Sequence, residues 1–302
     1  MQNEGYDLEI RGGFLLVRSV PYVDAQRNIK RGTLISPLKL TADKTDNPIE
    51  DHVAHWIGDH PCHANGTKIT AIENGSAPQH LGHDIKTSFT FSAKAAYRDY
   101  HHKMTTYIGR ITGEATVIDP MVTARIYPPI PADEPDSIFK YIDTASSRSG
   151  IDAVNQKLAG LRIAIIGLGG TGAYVLDLVA KTWVKEIHLF DGDVFSQHNA
   201  FRAPGALSLD ELAGRPSKVH YYEQIYGKMR NGIVAREEYI TEANLDVLNT
   251  FDFVFICMDR GEAKRPIVEH LASRNIKFVD VGMGVVLAEG SLAGIVRLTT
   301  ST

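Results

Sequence analysis

A doubly wound α/β domain on a mostly parallel sheet, preceded by a smaller α+β domain, is the fold this sequence predicts. Three observations predict it. From about Ser137 onward, β-branched apolar runs alternate with stretches of helical periodicity, and such alternation demands a parallel sheet covered on both faces. A glycine-rich turn, "GLGGTG" (167–172), sits where the first of those runs stops and a helical stretch begins. Upstream, "YPPIPADEPD", beginning at Tyr127, packs four prolines and three acids into ten residues, the composition of a stiff, solvated linker. It divides the chain into an N-terminal domain (1–127), a linker (128–137) and a C-terminal domain (138–302).

Each element has its own warrant. In the N-terminal part, "GGFLLVRSVPYV" (12–23) and "KTSFTFSA" (86–93) read as strands, and a helix is expected around 93–104. Residues 137–155 read as weakly helical. "LRIAIIG" (161–167) is a buried parallel strand by its β-branched run. "TGAYVLDLVAKTWV" follows as a helix with apolar residues at helical spacing, and "EIHLFD" (186–191) as a second strand. Further along, "RPSKVHYYEQIYGKM" reads as helix, "IVAREEYI" as strand, "FDFVFICMD" (251–259) as strand, "AKRPIVEHLASRN" as helix and "KFVDVGMG" (277–284) as strand. A last strand over 290–299 closes the chain.

Composition excludes several classes of function. The 302 residues are 43% hydrophobic and 23% charged, ordinary for a chain that buries a core. A net charge of -4 supplies no basic field for phosphate backbones, so nucleic acid is not an expected partner. The longest apolar runs, such as 253–258, are far too short to span a bilayer, and no charged start leads into an apolar signal core. The expectation is a cytoplasmic protein with no membrane partner. Its two cysteines, Cys62 and Cys257, form neither a disulfide framework nor a C-x-x-C pair.

The chemistry concentrates around the glycine turn. Between a strand and a helix, Gly167 permits the tight turn, Gly169 and Gly170 let backbone approach a phosphate, and Gly172 allows close helix packing. Amides at the helix start then face an anion. Asp191, nineteen residues past Gly172 at the tip of the second strand, is placed to bind ribose hydroxyls. That much serves a nicotinamide cofactor and ATP alike. ATP undergoing chemistry also needs cations and a metal-binding acid. Asn199 and Arg202 just after the second strand, Lys218 on the next expected helix and Asp259 at the carboxyl end of "FVFICMD" supply them, on the edge where ligands of such a sheet bind. Asp193, two residues past Asp191, either joins them as a ligand or caps the loop and helps position Arg202.

At these residues the chain resembles the ThiF/MoeB family of adenylating enzymes, whose Rossmann-like fold is shared by the activating enzymes for ubiquitin-like proteins. The ordered series is Gly167, Gly169, Gly170 and Gly172, then "DGDVFSQHNAFRA", then Lys218 in "GRPSK", then Asp259 in "CMDRG". It extends over about half the chain, from Arg148 to Thr300. The resemblance implies that Asp191 binds ribose, that Asn199, Arg202 and Lys218 bind phosphates, and that Asp259 holds Mg2+. Arg148 resembles the family arginine that reaches the phosphates of a partner subunit, which implies a homodimer. It also implies adenylation by ATP of the C-terminal carboxylate of a ubiquitin-like or sulfur-carrier protein, with a conjugating enzyme as a further partner. Three positions depart from the family pattern: His198 for serine, Ala203 for glutamine and Arg260 for asparagine. No cysteine follows Cys257, so either the chain only adenylates or a thioester domain lies beyond Thr302. The rival readings are a catalytically silent scaffold of the same fold, an enzyme adenylating another carboxylate such as one on a modified tRNA, and a nicotinamide oxidoreductase.

The N-terminal part holds eight of the twelve histidines. His52, His55, His60, Cys62 and His63 lie in one short stretch, with His80 and His83 nearby, and soft nitrogen and sulfur ligands of this kind bind Zn2+. Against zinc, the spacing fits no zinc module, and His60, Pro61 and Gly66 read as turn formers. Cys62 with His60 or His63 as base is a second reading, set against a turn cysteine with no catalytic role. This part loosely resembles domains fused before ThiF-like domains in bacterial ubiquitin-like operons, a resemblance that implies no activity.

Overall fold

A computed structural model describes residues 1–41, 44–46, 52–132, 136–259 and 261–301, so Pro135 of the proline-rich stretch and Arg260 lie outside the described residues. The chain divides into two compact units, Met1–Pro129 and Ile130–Thr302.

In the first unit, strands β1 (Asp7–Arg11), β2 (Phe14–Val23), β3 (Ile29–Pro37), β4 (Val53–Ile57), β5 (Glu73–Gly75) and β6 (Phe89–Ser92) form a six-stranded antiparallel sheet in the order β1-β2-β3-β4-β6-β5. Helix α1 (Tyr100–Ile118) packs on it through Met104, Tyr107, Ile108, Ile111 and Ala115, a stripe at helical spacing. The helix expected around 93–104 thus begins at Tyr100 and runs on to Ile118. Asp99 caps it by accepting the His102 amide, and Lys94, at φ 43°, interrupts any earlier start.

The second unit carries the doubly wound sheet. Strands β7 (Arg162–Ile166), β8 (Glu186–Phe190), β9 (Ile233–Arg236), β10 (Phe253–Ile256), β11 (Lys277–Ala288) and β12 (Ser291–Thr300) lie in the order β9-β8-β7-β10-β11-β12. All pairings are parallel except β11 with β12. Side chains alternate between the two faces, which is why these strands read as continuous apolar runs. Ile163, Ile165, Ile187 and Leu189 join one core with Leu176 of α3 (Gly170–Val179) and Tyr222 of α4 (Lys218–Tyr226). Ala164, Ile166 and Ile256 join the other with Leu271 of α5 (Gly261–Ser273). Between 137 and 155 the helical tendency resolves into α2 (Thr144–Ser149), capped by Asp143 and ended by Gly150 in the left-handed region, and a short turn, Asp152–Asn155.

Registry positions the site. Ile166 pairs with Phe190 on one side and Ile256 on the other, Phe190 with Arg236, and Ile256 with Asp280. The parallel strands therefore end level with one another. Strand order reverses at β7, and its carboxyl end against β10 is a topological switch point, where ligands of this architecture bind. Beyond the sheet, β11 and β12 continue as a two-stranded ribbon whose Met283, Val285, Leu287, Leu292, Val296 and Leu298 are exposed. No helix among the described residues is long and apolar enough to cross a membrane.

Candidate nucleotide site

The glycine turn divides its labour in a way that open space reveals. Gly167 has φ +90°, and a β-carbon there would stand 3.0 Å from the Met258 nitrogen, so this residue lets the end of β7 pack against the loop after β10. At Gly172 a β-carbon would lie 1.8 Å from the Gly167 carbonyl oxygen, so α3 starts flush against the strand end only because no side chain intervenes. Gly169 caps α3 with nothing within 4 Å of the space a β-carbon would take, and it is here that a ligand can approach backbone. Gly170 instead admits the Arg202 carbonyl, 3.1 Å from that space.

Behind the turn lies a buried ionic cluster. Asp191 is 6% exposed. Its Oδ2 accepts the Leu168 amide at 2.7 Å and its Oδ1 the Asp193 amide at 2.9 Å. The carboxylate thus braces the glycine turn and its own loop together. Lys218, also 6% exposed, is the first residue of α4. Its Nζ lies 3.3 Å from both Asp191 oxygens and 2.6 Å from Asp193 Oδ2. A solvated helical lysine would not be buried in this way; desolvation is offset by two carboxylates.

Asn199 is buried in the short helix Gln197–Ala200, where its Oδ1 accepts the Ser196 amide at 2.9 Å. Its Nδ2 is buried with no hydrogen-bond partner among the described residues. A buried amide left that way costs about 1–3 kcal/mol, which makes this donor a candidate contact for a ligand. The Arg202 amide donates to the Asn199 carbonyl at 3.0 Å, which sets the exposed arginine beside the start of α3.

The remaining expected residues are less tied. Asp259 is exposed just past β10, directly after the Met258 that touches the glycine turn. His198 is exposed on the short helix and Ala203 half-buried. Arg148 is exposed in α2, and no described contact joins it to the glycine turn. The structure therefore links the glycines, Asp191, Asp193, Lys218, Asn199 and Arg202 through direct contacts, sets Asp259 at their edge, and leaves Arg148 outside.

Tyr239 belongs to the cluster too, and sequence reasoning passed over it. It follows β9, its hydroxyl donates to Asp193 Oδ1 at 2.5 Å, and its ring lies across Gly192. No sequence signal marked it, since Tyr239 falls inside the run "IVAREEYI" that reads as strand.

The cysteines and the histidines of the first unit have partners of their own. Burial pushes the Cys257 thiol up to about 12, far from a thiolate at neutral pH. Cys62 is 1% exposed, its thiol likewise pushed up by burial, and it donates to the His60 carbonyl rather than meeting an imidazole. His60 faces the Pro61 carbonyl and Glu73, and His63 pairs with Glu114 at 2.9 Å. Among the described residues no three His, Cys, Asp or Glu side chains gather as metal ligands.

A parallel sheet with a glycine turn at its switch point and a buried lysine behind it defines a nucleotide-binding α/β domain. Residues 141–296, just over half of the chain, match the ThiF family, and the chain belongs to that family. Residues 1–144 match a domain of unknown function, DUF6791. Among solved structures, E. coli MccB with succinimide is similar at 21% identity and a TM-score of 0.39, covering 44% of this chain and 41% of that one. E. coli tRNA N6-threonylcarbamoyladenosine dehydratase, TcdA, in complex with AMP, is similar at 20% identity and a TM-score of 0.40, covering 47% and 62%. PaaA is similar at 19% identity and a TM-score of 0.37, covering 43% of each. The chain thus spans less than two thirds of the length of each of these structures. No curated protein matches it.

Proposed function

We propose that the second unit is an ATP-dependent adenylyltransferase that activates the C-terminal carboxylate of a ubiquitin-like or sulfur-carrier protein. The observation that carries this reading is Lys218, buried behind the glycine turn between Asp191 and Asp193, with Arg202 and the Asn199 Nδ2, which has no partner among the described residues, close to the same turn. A nicotinamide cofactor has no use for that concentration of donors and cations. A triphosphate does.

In this reading a substrate carboxylate oxygen attacks the α-phosphorus of ATP. The bond to the β-phosphate oxygen breaks, leaving an acyl-adenylate and pyrophosphate. The carboxylate is already ionised, so no general base is needed, and the chain's work is positioning and charge stabilisation. Asp191 orients the ribose. Amides at Gly169 and Gly170 approach the phosphates, and Asn199, Arg202 and Lys218 stabilise charge on the departing pyrophosphate. Asp259, an exposed carboxylate beside the turn, is suited to holding Mg2+, which takes one or two carboxylates and completes its shell with phosphate oxygens and water; when bound, the ion would neutralise phosphate charge. Arg148 acts across a homodimer, in the partner's site. A conjugating enzyme is a further partner, nucleic acid and membranes are not, and the compartment is the cytoplasm.

Incubation of the purified chain with MgATP, a candidate carrier protein and hydroxylamine tests this reading. A hydroxamate at the carrier's C-terminus, formed only with ATP and lost in Asp259→Ala, is the expected result. ATP turnover with no carrier modified contradicts the choice of substrate.

A further inference from the structure

We propose that Asp280 is a positioning residue for Asp259: through Lys264 it fixes the first turn of the helix that follows the Asp259 loop. The inference deepens the ATP reading above and rests on it. Two anchors bracket Asp259. On one side the Met258 nitrogen lies 3.0 Å from the space a β-carbon at Gly167 would take, so the chain leaving β10 touches the glycine turn. On the other side Lys264, in the first turn of α5, is buried although Glu262, Ala263 and Arg265 around it are exposed. Its Nζ meets Asp280 Oδ1 at 2.5 Å, and Arg297 Nη2 donates to the other Asp280 oxygen at 2.9 Å. Asp280 is itself buried and pairs with Ile256, the last residue of β10, so it stands level with the strand end from which the Asp259 loop departs.

Apolar packing does not set where this turn sits. Ile267 and Leu271 dock the body of α5 on a hydrophobic core, and such contact is non-directional. Pro266, inside the helix, has no amide to donate to the Glu262 carbonyl, so the turn ahead of it lacks one of the bonds that would tie it to the rest of α5. A buried ion pair adds little net stability over apolar side chains of like volume, but it fixes a geometry. Here it holds the turn, and with it the loop carrying Asp259, in place beside the glycine turn.

Calorimetric titration of the full chain with ATP, in Mg2+ and in EDTA, reads the gain in affinity that the metal brings. Lys264→Met combined with Asp280→Leu removes the ion pair, keeps the net charge and fills the site with apolar atoms, so the paired variant is expected to melt no lower than wild type. ATP affinity in EDTA should stay within about twofold, while the gain from Mg2+ falls about tenfold. Asp259→Asn should remove that gain by itself, and adding the paired change to it should cost nothing more, as for two alterations that act through one group. Asp280→Asn, which keeps the shape and loses the charge, gives the same reading if the paired variant does not fold. An undiminished Mg2+ gain, an equal loss with and without Mg2+, or a further loss on the Asp259→Asn background overturns the role of Asp280. Two results in the wild type are of another kind: ATP binding that gains nothing from Mg2+ removes Asp259 as the metal's ligand and this inference with it, and absence of ATP binding removes the ATP reading itself.

Discussion

Both units gather titratable side chains, Tyr22, Asp24, Lys30 and Asp59 in the first and Asp191, Asp193, Lys218 and Tyr239 in the second, but it is the second cluster that lies behind a glycine turn at the edge of a parallel sheet. In the first unit the histidines disperse into pairwise bonds: His63 with Glu114, His101 with Glu4, His60 against Pro61 and Glu73. In the second, residues up to 48 positions apart, from Asp191 to Tyr239, form one bonded cluster. The cause is topology. An antiparallel sheet sends successive loops to opposite ends, whereas parallel strands with crossover helices bring every loop of one kind to the same edge. Density of reactive residue types along a sequence is thus a poor guide to a site. Their placement after parallel strands is a better one.

The contrast is broken most severely at the glycines. Gly172→Ala puts a β-carbon against the Gly167 carbonyl, and a loss of more than about 3 kcal/mol is expected, seen as aggregation or a collapsed melting temperature. Gly169→Ala, three residues away, meets open space. It should melt like wild type and yet bind MgATP at least about tenfold more weakly, because the added methyl occupies the ligand's approach rather than the chain's own packing. Equal melting losses at both positions contradict the division of labour assigned to the turn.

Lys218→Ala comes next. It leaves Asp191 buried beside Asp193 with no cation between them, and removing one partner of a buried pair costs about 3–5 kcal/mol, here toward the lower end because Asp193 is half in solvent. Urea unfolding measures this, and ATP binding should be lost as well.

His63→Ala in the first unit supplies the opposite case. The imidazole holds the Glu114 carboxyl below its usual range, but both groups are partly solvated. A stability change under about 1 kcal/mol and unaltered ATP affinity are expected. A large effect on nucleotide binding gives that histidine a role in the chemistry that its contacts do not.

The smallest effect is one of pH. Burial depresses His188 below the ordinary histidine value of 6.5, outweighing its contact with Glu186. The folded state therefore prefers the neutral ring, while the unfolded state takes up a proton at higher pH. The associated stability is fully present above 6.5 and is lost as pH falls from there toward the folded value. His188→Gln should flatten this decline, seen as a smaller loss of urea-unfolding stability between about pH 7 and 5.5.

Much of this was legible in the sequence because it depends on short-range pattern. The strand, the glycine turn and the helix follow from β-branched runs and backbone freedom within a dozen residues, and Asp191, Asn199 and Lys218 follow from their order behind it. Strand lengths were less so. β9 stops at Arg236 although the apolar and β-branched content of "IVAREEYI" continues, since the chain there turns to bring Tyr239 over Gly192. Tyr239 itself was illegible for the same reason: its partner Asp193 lies in a different loop, and only the registry of β8 with β9 sets the two side by side. The histidine-rich stretch misled in the other direction, because spacing along a chain says little about where antiparallel strands carry each ring.

ATP–pyrophosphate exchange by the purified chain, with carrier proteins supplied in turn and Asp259→Ala as control, tests the central claim most directly. The account predicts carrier-dependent return of labelled pyrophosphate into ATP that is abolished in the variant. Exchange that persists without Asp259, or a chain that binds ATP yet exchanges with no carboxylate-bearing partner, contradicts it.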